Sequence, residues 1–337
     1  MKVTLALDAM GGDHGPAEIV PAALYKLGKH KNLHLILVGQ EDILNKILSE
    51  NKAEANDRLT IHHASEIVGM HESPSIVLRN KKDSSMRVAI DLVKNGVAQA
   101  CVSAGNTGAL MATARFVLKM LPGIDRPAIC STMPGATGHT HLLDLGANVD
   151  SSSEQLFQFA VMGSELTSAV NNKQNPTVAL LNIGEEEIKG NDRVKQAATL
   201  LANSHLNYVG FVEGNDIYSG KVDVIVCDGF VGNIALKASE GVASFLMHHA
   251  RMQFQETLYG RLAAIVSMPV LKAIRRKIDP RRYNGASLLG LRGIVIKSHG
   301  SADKVSFAHA IEEAIIEVEK NVPQRISSEL EKLFPEG

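Results

Sequence analysis

The sequence is poor in aromatic residues and carries almost no net charge. Aromatic residues make up 4% of its 337 residues, tryptophan is absent, and the formal net charge is −1. Proteins that bind nucleic acids usually stack bases on aromatic rings and neutralise phosphates with basic surfaces. This composition therefore disfavours a nucleic-acid partner, and any site for an anion must be a local feature.

Cysteine is also scarce. The three copies, Cys101, Cys130 and Cys227, lie far apart and form neither a CxxC pair nor a spacing typical of a metal site. An odd number of dispersed cysteines is typical of reduced cytosolic proteins, so we expect free thiols and no bound metal.

Long apolar runs are missing as well. The apolar run in the start, MKVTLALDAM, is shorter than that of a signal peptide and ends at Asp8. No run approaches the roughly 20 apolar residues needed to span a bilayer. We therefore expect a cytoplasmic protein without a membrane span.

What the sequence does contain is an alternation of short apolar runs with helical segments. The runs are rich in β-branched residues, which is typical of strands, and they cover 2–9, 33–39, 59–64, 100–105, 177–184 and 222–230. Most are followed by helical periodicity, as in 84–95. This alternation predicts an α/β fold, a three-layer α/β/α sandwich around a mostly parallel sheet. No linker divides the chain, so we predict one domain over 1–337.

One region departs from this alternation. In PAICSTMPGATGHTHLLDLGA (127–147), two apolar runs are joined by PGATG. This pattern predicts a β-hairpin, which we interpret as an arm or as the edge of the sheet.

Glycine-rich loops join three predicted strands to helices, in DAMGGDHGP, SAGNTGAL and CDGFVGNIALK. Glycine lets the backbone approach a ligand closely, and the first turn of a helix offers free N–H groups to an anion. Because the carboxyl ends of parallel strands meet at one edge of a sheet, we expect the loops to converge on one anion-binding crevice. Tight strand–helix turns without a ligand are the alternative.

Several nucleotide and hydrolase motifs are absent. The chain contains no G-x-G, no G-x-x-x-x-G-K-[ST] phosphate loop and no G-x-S-x-G elbow. These absences give no support to NAD, ATP or serine-hydrolase chemistry, and we predict no cofactor.

Polar side chains accompany the glycine loops: Asn106, Asn148, Lys189 and Asn233. An amide can donate a hydrogen bond without charge, and a lysine supplies a cation for phosphate. Helix capping by the asparagines and a solvated loop lysine are the alternatives. His14 and His299 lie in glycine-rich loops, where they could transfer a proton near neutral pH or brace their loops.

The segment 251–282 has two apolar helical stripes, separated at Pro269, which we expect to interrupt the helix. Its second half is strongly basic, with Lys272, Arg275, Arg276 and Lys277 among its cations. A projecting basic amphipathic helix is typical of a membrane-surface element or of a dock for an acidic partner. An ordinary core helix with a solvated basic face is the alternative.

Five motifs together resemble one family, the acyl-acyl-carrier-protein:phosphate acyltransferases (the PlsX family). They are LDAMGGDHGP, SAGNTGAL, LDLGAN, VDVIVCDGFVGNIALK and KSHGSAD, and the likeness spans the chain from residue 2 to about 320. The resemblance implies a fold related to isocitrate and isopropylmalate dehydrogenases and to phosphate acetyltransferases.

The resemblance also implies a reaction and its partners. Inorganic phosphate attacks the thioester of acyl carrier protein, and the acyl phosphate feeds phospholipid synthesis through a glycerol-3-phosphate acyltransferase. Members of the family are homodimers that associate peripherally with the inner face of the cell membrane.

Direct attack by phosphate needs no activated serine or cysteine, only positioning and stabilisation of the oxyanion. We hypothesise that Lys189 binds phosphate or the oxyanion and that Asn233 donates to the thioester carbonyl oxygen. Asn106 and Asn148 fix orientation, and His14 or His299 handles a proton. The backbone of the anion pocket comes from Gly11, Gly12, Gly105, Thr107, Gly108 and Gly232.

Three other functions compete with this hypothesis. A phosphate acetyltransferase would use acetyl-CoA, and a dehydrogenase of the related fold would use NAD and a metal. A non-catalytic scaffold recruited to membranes would need the basic segment and not the glycine loops.

Overall fold

The computed structural model describes residues 1–333, and the side chains of residues 274–278 and 280 lie outside this description. The strands of this part are β1 (Val3–Asp8), β2 (Leu33–Gly39), β3 (Leu59–His63), β4 (Ala100–Ser103), β5 (Ala128–Pro134), β6 (His139–Leu143), β7 (Thr177–Leu181), β8 (Asn207–Val212), β9 (Val224–Val226), β10 (Ala286–Leu289) and β11 (Ile294–Lys297).

The α-helices are α1 (Pro16–Lys29), α2 (Glu41–Glu50), α3 (Pro74–Asn80), α4 (Ser85–Lys94), α5 (Thr107–Leu118), α6 (Ser153–Asn171), α7 (Asp192–Ala202), α8 (Gly229–Glu256), α9 (Leu258–Ile278), α10 (Lys304–Lys320) and α11 (Val322–Leu333). Two short 3₁₀ helices cover Gly214–Tyr218 and Pro280–Tyr283.

All these strands belong to one sheet with the order β3-β2-β1-β4-β11-β10-β5-β6-β9-β7-β8. Seven of its strand pairs are parallel, and the three antiparallel pairs join β11 to β10, β10 to β5, and β5 to β6. Three reversals leave the two halves of the sheet pointing in opposite directions. The strands β3, β2, β1, β4 and β11 run one way, and β6, β9, β7 and β8 run the other.

Helices cover both faces of the sheet, which confirms the predicted three-layer sandwich. On β1, Ala6 packs into one cluster with α3, α4, α5 and the first turns of α8. Its neighbours Leu5 and Leu7 face the opposite way, into a cluster with α1, α2 and α10. In the second half of the sheet, the face that corresponds to that of Leu5 and Leu7 is covered by α6, α7 and α11. This alternation follows from the two-residue period of a strand.

The predicted β-hairpin exists, but its predicted place was wrong. The strands β5 and β6 pair with each other in the middle of the sheet, between β10 and β9, so they form neither an arm nor an edge. Ala136 at the hairpin tip donates its N–H to the Tyr218 carbonyl at 2.8 Å. The alternating pattern that marks a hairpin is the same in the centre of a sheet, so it could not show which strands lie outside.

The predicted projecting helical segment is also present, with different limits. The helix α8 runs without a break from Gly229 to Glu256, and residues 241–250 are all exposed. Pro269 does not interrupt the second helix, because it lies inside α9. Lys272 is exposed on α9, whereas the side chains of Arg275, Arg276 and Lys277 lie outside the described ones.

None of the helices in the described part of the chain combines the length and hydropathy needed to cross a bilayer.

Candidate active site

The glycine loops do not converge on one edge of the sheet, and this expectation was wrong. The reversals at β10, β5 and β6 place the loops at two opposite edges. We call the carboxyl ends of β1, β4 and β11, with their loops, the lysine edge. We call the carboxyl ends of β6, β9 and β7, with their loops, the asparagine edge.

Three polar side chains end adjacent strands at the lysine edge. Asp8 on β1 and Lys297 on β11 both pair in register with Ser103 on β4, between them. The Ser103 hydroxyl donates to one oxygen of Asp8 at 2.6 Å, and the Ser85 hydroxyl of α4 donates to the other at 2.6 Å. Burial raises the pKa of the Asp8 carboxyl, while both serine hydrogen bonds and the Lys297 charge oppose that rise.

Lys297 is a buried cation in this row. Its Nζ donates to the Ala104 carbonyl at 3.3 Å and to the Ser298 carbonyl. Burial lowers the pKa of this ammonium to about 8, against the attraction of Asp8 and Asp13. A buried lysine that stays largely protonated at neutral pH provides a fixed positive charge at the end of the strand.

The first two glycine loops meet directly above this row. A methyl group on Gly12, which has a φ of 87°, would lie 2.8 Å from the Gly300 carbonyl oxygen and 2.9 Å from the Ala104 side chain. The N–H of Asp13 donates to the Gly300 carbonyl at 2.8 Å. At Gly11, a methyl group would come within 2.9 Å of the backbone nitrogen of Gly105. The glycines are therefore needed for close approach of three loops.

The Gly105–Gly108 loop begins α5 at the same edge. Asn106 caps the helix by accepting from the Ala109 N–H at 3.0 Å, and its amide nitrogen donates to the carbonyls of Met70 and Glu72. The Gly105 N–H donates to the Ser103 hydroxyl at 3.1 Å. These hydrogen bonds use both the oxygen and the nitrogen of the Asn106 side-chain amide. The exposed Thr107 is the first residue of the helix.

The asparagine edge has its own buried carboxylate, Asp144. It accepts the N–H groups of Ile129, Ala147 and Asn148 at 2.8–3.0 Å and the Asn148 side-chain amide at 3.0 Å. That amide also donates to the Pro127 carbonyl at 2.8 Å. Burial raises the pKa of Asp144 against these hydrogen bonds. Asn148 therefore stabilises the loop through its hydrogen bonds to Asp144 and Pro127.

Gly232 and Asn233 lie in the first two turns of α8 at this edge. A methyl group on Gly232 would overlap the Asp144 carbonyl oxygen, so the glycine allows α8 to pack on the loop. The Asn233 side chain is exposed, and within the described part of the chain it makes no hydrogen bond. Lys189 is exposed in the loop after β7. The Asn182 side chain stabilises this loop by donating to the carbonyls of Gly184 and Lys189.

The helix α8 connects the two edges. Lys237 lies one turn after Asn233, on the same face of the helix, and pairs with Glu240 at 2.8 Å. Its positive charge acts on Lys297 and on His299, so the third turn of α8 lies near the lysine edge.

Both candidate histidines are exposed, but His299 has hydrogen-bond partners in its own loop. The Nδ1 of His299 lies 2.8 Å from the Ser301 hydroxyl, and it accepts from the Ser301 N–H at 3.2 Å. Burial and the nearby Lys237 ammonium lower the pKa of His299, which favours its neutral form. His299 thus braces its loop, while its other nitrogen remains available.

Sequence reasoning missed the central row of the lysine edge. Asp8, Ser85, Ser103 and Lys297 were not among the predicted site residues. A usable signal existed, because Asp8 and Lys297 are charged residues that directly follow apolar runs, in LALD and IVIK. A charge in that position either pairs inside the fold or binds a ligand.

The family of the chain follows from comparison with known sequences. Residues 3–325 match the family described as fatty acid synthesis protein. A phosphate acyltransferase of Methylococcus capsulatus is 62% identical over 98% of this chain and 98% of its own. A phosphate acyltransferase of Nitrosococcus oceani is also 62% identical, over 100% of this chain and 99% of its own.

Solved structures share the fold at low identity. A phosphotransacetylase from Streptococcus pyogenes superposes with a TM-score of 0.64 at 18% identity and covers 94% of both chains. A 4-hydroxythreonine-4-phosphate dehydrogenase from Klebsiella pneumoniae gives 0.51 at 15% identity and covers 94% of this chain and 98% of its own. These matches confirm the predicted dehydrogenase-like fold. With its full-length relatives, the chain belongs to the fatty acid synthesis protein family, that of the phosphate acyltransferases.

Proposed function

We propose that the protein transfers a fatty acyl group from acyl carrier protein to inorganic phosphate. The observation that carries this proposal is the lysine edge, where the buried Lys297 ends a strand among closely packed glycine loops. A fixed cation beside exposed backbone N–H groups suits a small oxyanion such as phosphate. The curated relatives carry the name phosphate acyltransferase, which supports the same reaction.

In the proposed reaction, a phosphate oxygen attacks the thioester carbon and the carbon–sulfur bond then breaks. The products are the acyl phosphate and the free thiol of the carrier. No side-chain nucleophile is required, and the cysteines are unsuited to that role. All three are buried, and burial raises the pKa of each thiol well above its usual range.

We assign the attacking phosphate to the lysine edge. Lys297 supplies the charge, and the Gly11–Gly12 and Gly105–Gly108 loops supply backbone around it. Thr107 and Gly108 contribute the first N–H groups of α5, which have no partner within their own helix. Asp8 holds these loops in place, because it accepts hydrogen bonds from the hydroxyls of Ser85 and Ser103.

We assign the thioester to the exposed face of α8, where Asn233 lies one turn before Lys237, the residue whose charge acts on Lys297. The exposed amide of Asn233 donates to the carbonyl oxygen, and Lys189 stabilises the oxyanion. Gly232 and Asn148 fix the start of α8 and the neighbouring loop. His299 is the better candidate to accept the proton of the attacking phosphate and pass it to the leaving sulfur, because its lowered pKa favours the neutral, proton-accepting form. His14 is the second candidate.

The roles of Asn233 and Lys189 are tested by substitution. We expect Asn233→Ala and Lys189→Ala each to lower turnover by about 10²–10³, the usual cost of one lost oxyanion partner. Asn233→Asp, which has the same shape but offers no donor, should lose as much as Asn233→Ala. Lys46→Ala on the exposed face of α2 is the matched control. Near wild-type turnover in both alanine variants would refute the assignment.

The substrate is tested by parallel assays with one enzyme preparation. Acyl carrier protein thioester with phosphate should give acyl phosphate, whereas acetyl-CoA with phosphate, or NAD with a hydroxy acid, should give little product. Faster reaction with acetyl-CoA would make the protein a phosphate acetyltransferase. The product is a reactive mixed anhydride, so we propose a glycerol-3-phosphate acyltransferase as the enzyme that consumes it.

The projecting pair α8 and α9 is the proposed contact for a second copy and for the membrane surface. It exposes a series of apolar side chains, namely Val242, Phe245, Leu246, Leu258, Leu262, Ile265, Val266 and Val270. Apolar surfaces of this kind are usually covered by a partner. A Leu262→Glu, Val266→Glu variant should lose either dimerisation in sedimentation or attachment to phosphatidylglycerol vesicles. Unchanged behaviour in both measurements would refute this contact.

A further inference from the structure

The end of α5 and its neighbours form a basic surface around one exposed aromatic ring. Phe116 is 53% exposed, and the Arg87 guanidinium and the Lys119 ammonium lie 5.4 and 4.9 Å from the centre of its ring. Arg292 joins the group because its N–H donates to the Lys119 carbonyl at 3.1 Å. Arg115 lies one turn before Lys119 on the same helix face. We call these five residues the basic surface.

This surface is locally positive. It carries four cations in a chain whose net charge is −1. The carboxylate beside them, Asp91, is occupied by Arg87 at 3.0 Å. Arg115, Lys119 and Arg292 are exposed, so their charges are available to a partner.

Lys119 adopts an unusual backbone conformation. It ends α5 with a φ of 65° and a ψ of 170°, a region that glycine enters freely and other residues only at a cost. A glycine here would relieve that cost, but it would remove the ammonium that lies over Phe116. In this conformation the Lys119 ammonium lies over the Phe116 ring.

The position of the basic surface relates it to the site. The helices α4 and α5 both start at the lysine edge, where Ser85 contacts Asp8 and Asn106 caps α5. Both run away from that edge. Arg87 lies in the first turn of α4, two residues after Ser85, whereas Lys119 ends the 12-residue α5 about one helix length, roughly 18 Å, from the edge. The basic surface therefore extends along α5 away from the lysine edge.

We propose that the basic surface docks the acidic body of acyl carrier protein, an inference that rests on the proposed function. The carrier presents its acyl group on a long flexible arm, so its body must bind at a distance from the reacting carbon. An arm that follows α5 from the basic surface would bring the thioester to the lysine edge. Acidic side chains of the carrier would pair with Arg115, Lys119 and Arg292, and an apolar side chain would cover Phe116.

A protein suits this surface better than a lipid bilayer does. The basic surface exposes a single large apolar side chain among its charges, whereas α8 and α9 expose many. Membrane binding grows with buried apolar area, which this surface lacks.

The test reverses two charges that are not engaged in hydrogen bonds. In an Arg115→Glu, Lys119→Glu variant, we expect the KM for C16-acyl carrier protein to rise about tenfold or more, equivalent to about 1.4 kcal/mol. The KM for phosphate and the rate with a carrier-free acyl-pantetheine thioester should stay unchanged. Binding of the carrier, measured by calorimetry, should weaken by the same factor and lose much of its salt dependence.

A Lys31→Glu, Lys46→Glu variant makes the same change of charge on exposed lysines outside the basic surface and is the control. Equal effects in the two variants would refute the proposal, as would loss of binding to phosphatidylglycerol vesicles with unchanged carrier binding. Phe116→Ala offers a second test without a change of charge, and it should raise the same KM. If the wild-type protein binds the carrier, the Arg115→Glu, Lys119→Glu variant binds it more weakly than the control does, and no acyl phosphate forms, the proposed function fails and the docking surface stands.

Discussion

The two edges of the sheet each bury one aspartate at the end of a strand, but they satisfy it differently. Asp144 is held by N–H groups and one amide, mostly from its own loop. Asp8 is held by hydroxyls from two other elements, next to the buried cation of Lys297. The asparagine edge thus uses its carboxylate to stabilise a loop, whereas the lysine edge combines three loops with a positive charge.

The largest expected effect would come from removing that charge. We predict that Lys297→Ala lowers turnover with phosphate by about 10²–10³ and raises the KM for phosphate. The reason is that the variant loses the only cation that ends a strand in this row. Lys297→Met, which keeps the packing of the stem, separates loss of charge from loss of volume and should be equally inactive. Substantial activity in the Met variant would place the phosphate elsewhere.

The second comparison concerns how tightly the two edges are packed. A methyl group at Gly232 would overlap a backbone oxygen of Asp144, whereas at Gly105 it would lie 2.6 Å from the flexible end of Met86. We therefore predict that Gly232→Ala lowers the free energy of unfolding by about 3 kcal/mol and Gly105→Ala by about 1 kcal/mol. Urea unfolding of both variants measures the difference. Equal losses of unfolding free energy would contradict this prediction, because they would mean that both loops adjust equally well to the added methyl group.

The third prediction is the pH dependence of turnover. Because the pKa of Lys297 is lowered to about 8, the cation is present below that pH and is lost as the pH rises through it. Turnover should fall by about tenfold for each pH unit above this value. Lys297→Arg, whose side chain stays protonated, should show no such decline, whatever its absolute rate. A wild-type rate that stays level up to pH 10 would contradict a role for this charge.

Much of the fold could be predicted from the sequence, because its strands are short and apolar and alternate with helices. All six predicted strands and the hairpin are present. The strands β8, β10 and β11 were not predicted. That omission matters, because β10 enters the sheet antiparallel next to β5 and helps to reverse the second half.

The site could be predicted only in part for the same reason. The glycine loops were recognised as strand-to-helix turns, but assigning them to one edge assumed that all strands run in one direction. Asn106 and Asn148 were chosen as ligand-binding amides, and hydrogen bonds inside the protein occupy both. Lys297 was not recognised. Its position directly after an apolar run was a signal, but its register with Ser103 and Asp8 cannot be read from sequence spacing.

The most direct test of the account is a crystal structure with bound phosphate. We predict that phosphate binds at the lysine edge, within hydrogen-bond distance of the Lys297 ammonium and of N–H groups in the Gly11–Gly12 or Gly105–Gly108 loop. Phosphate bound instead between Lys189 and Asn233, with none at Lys297, would contradict the account.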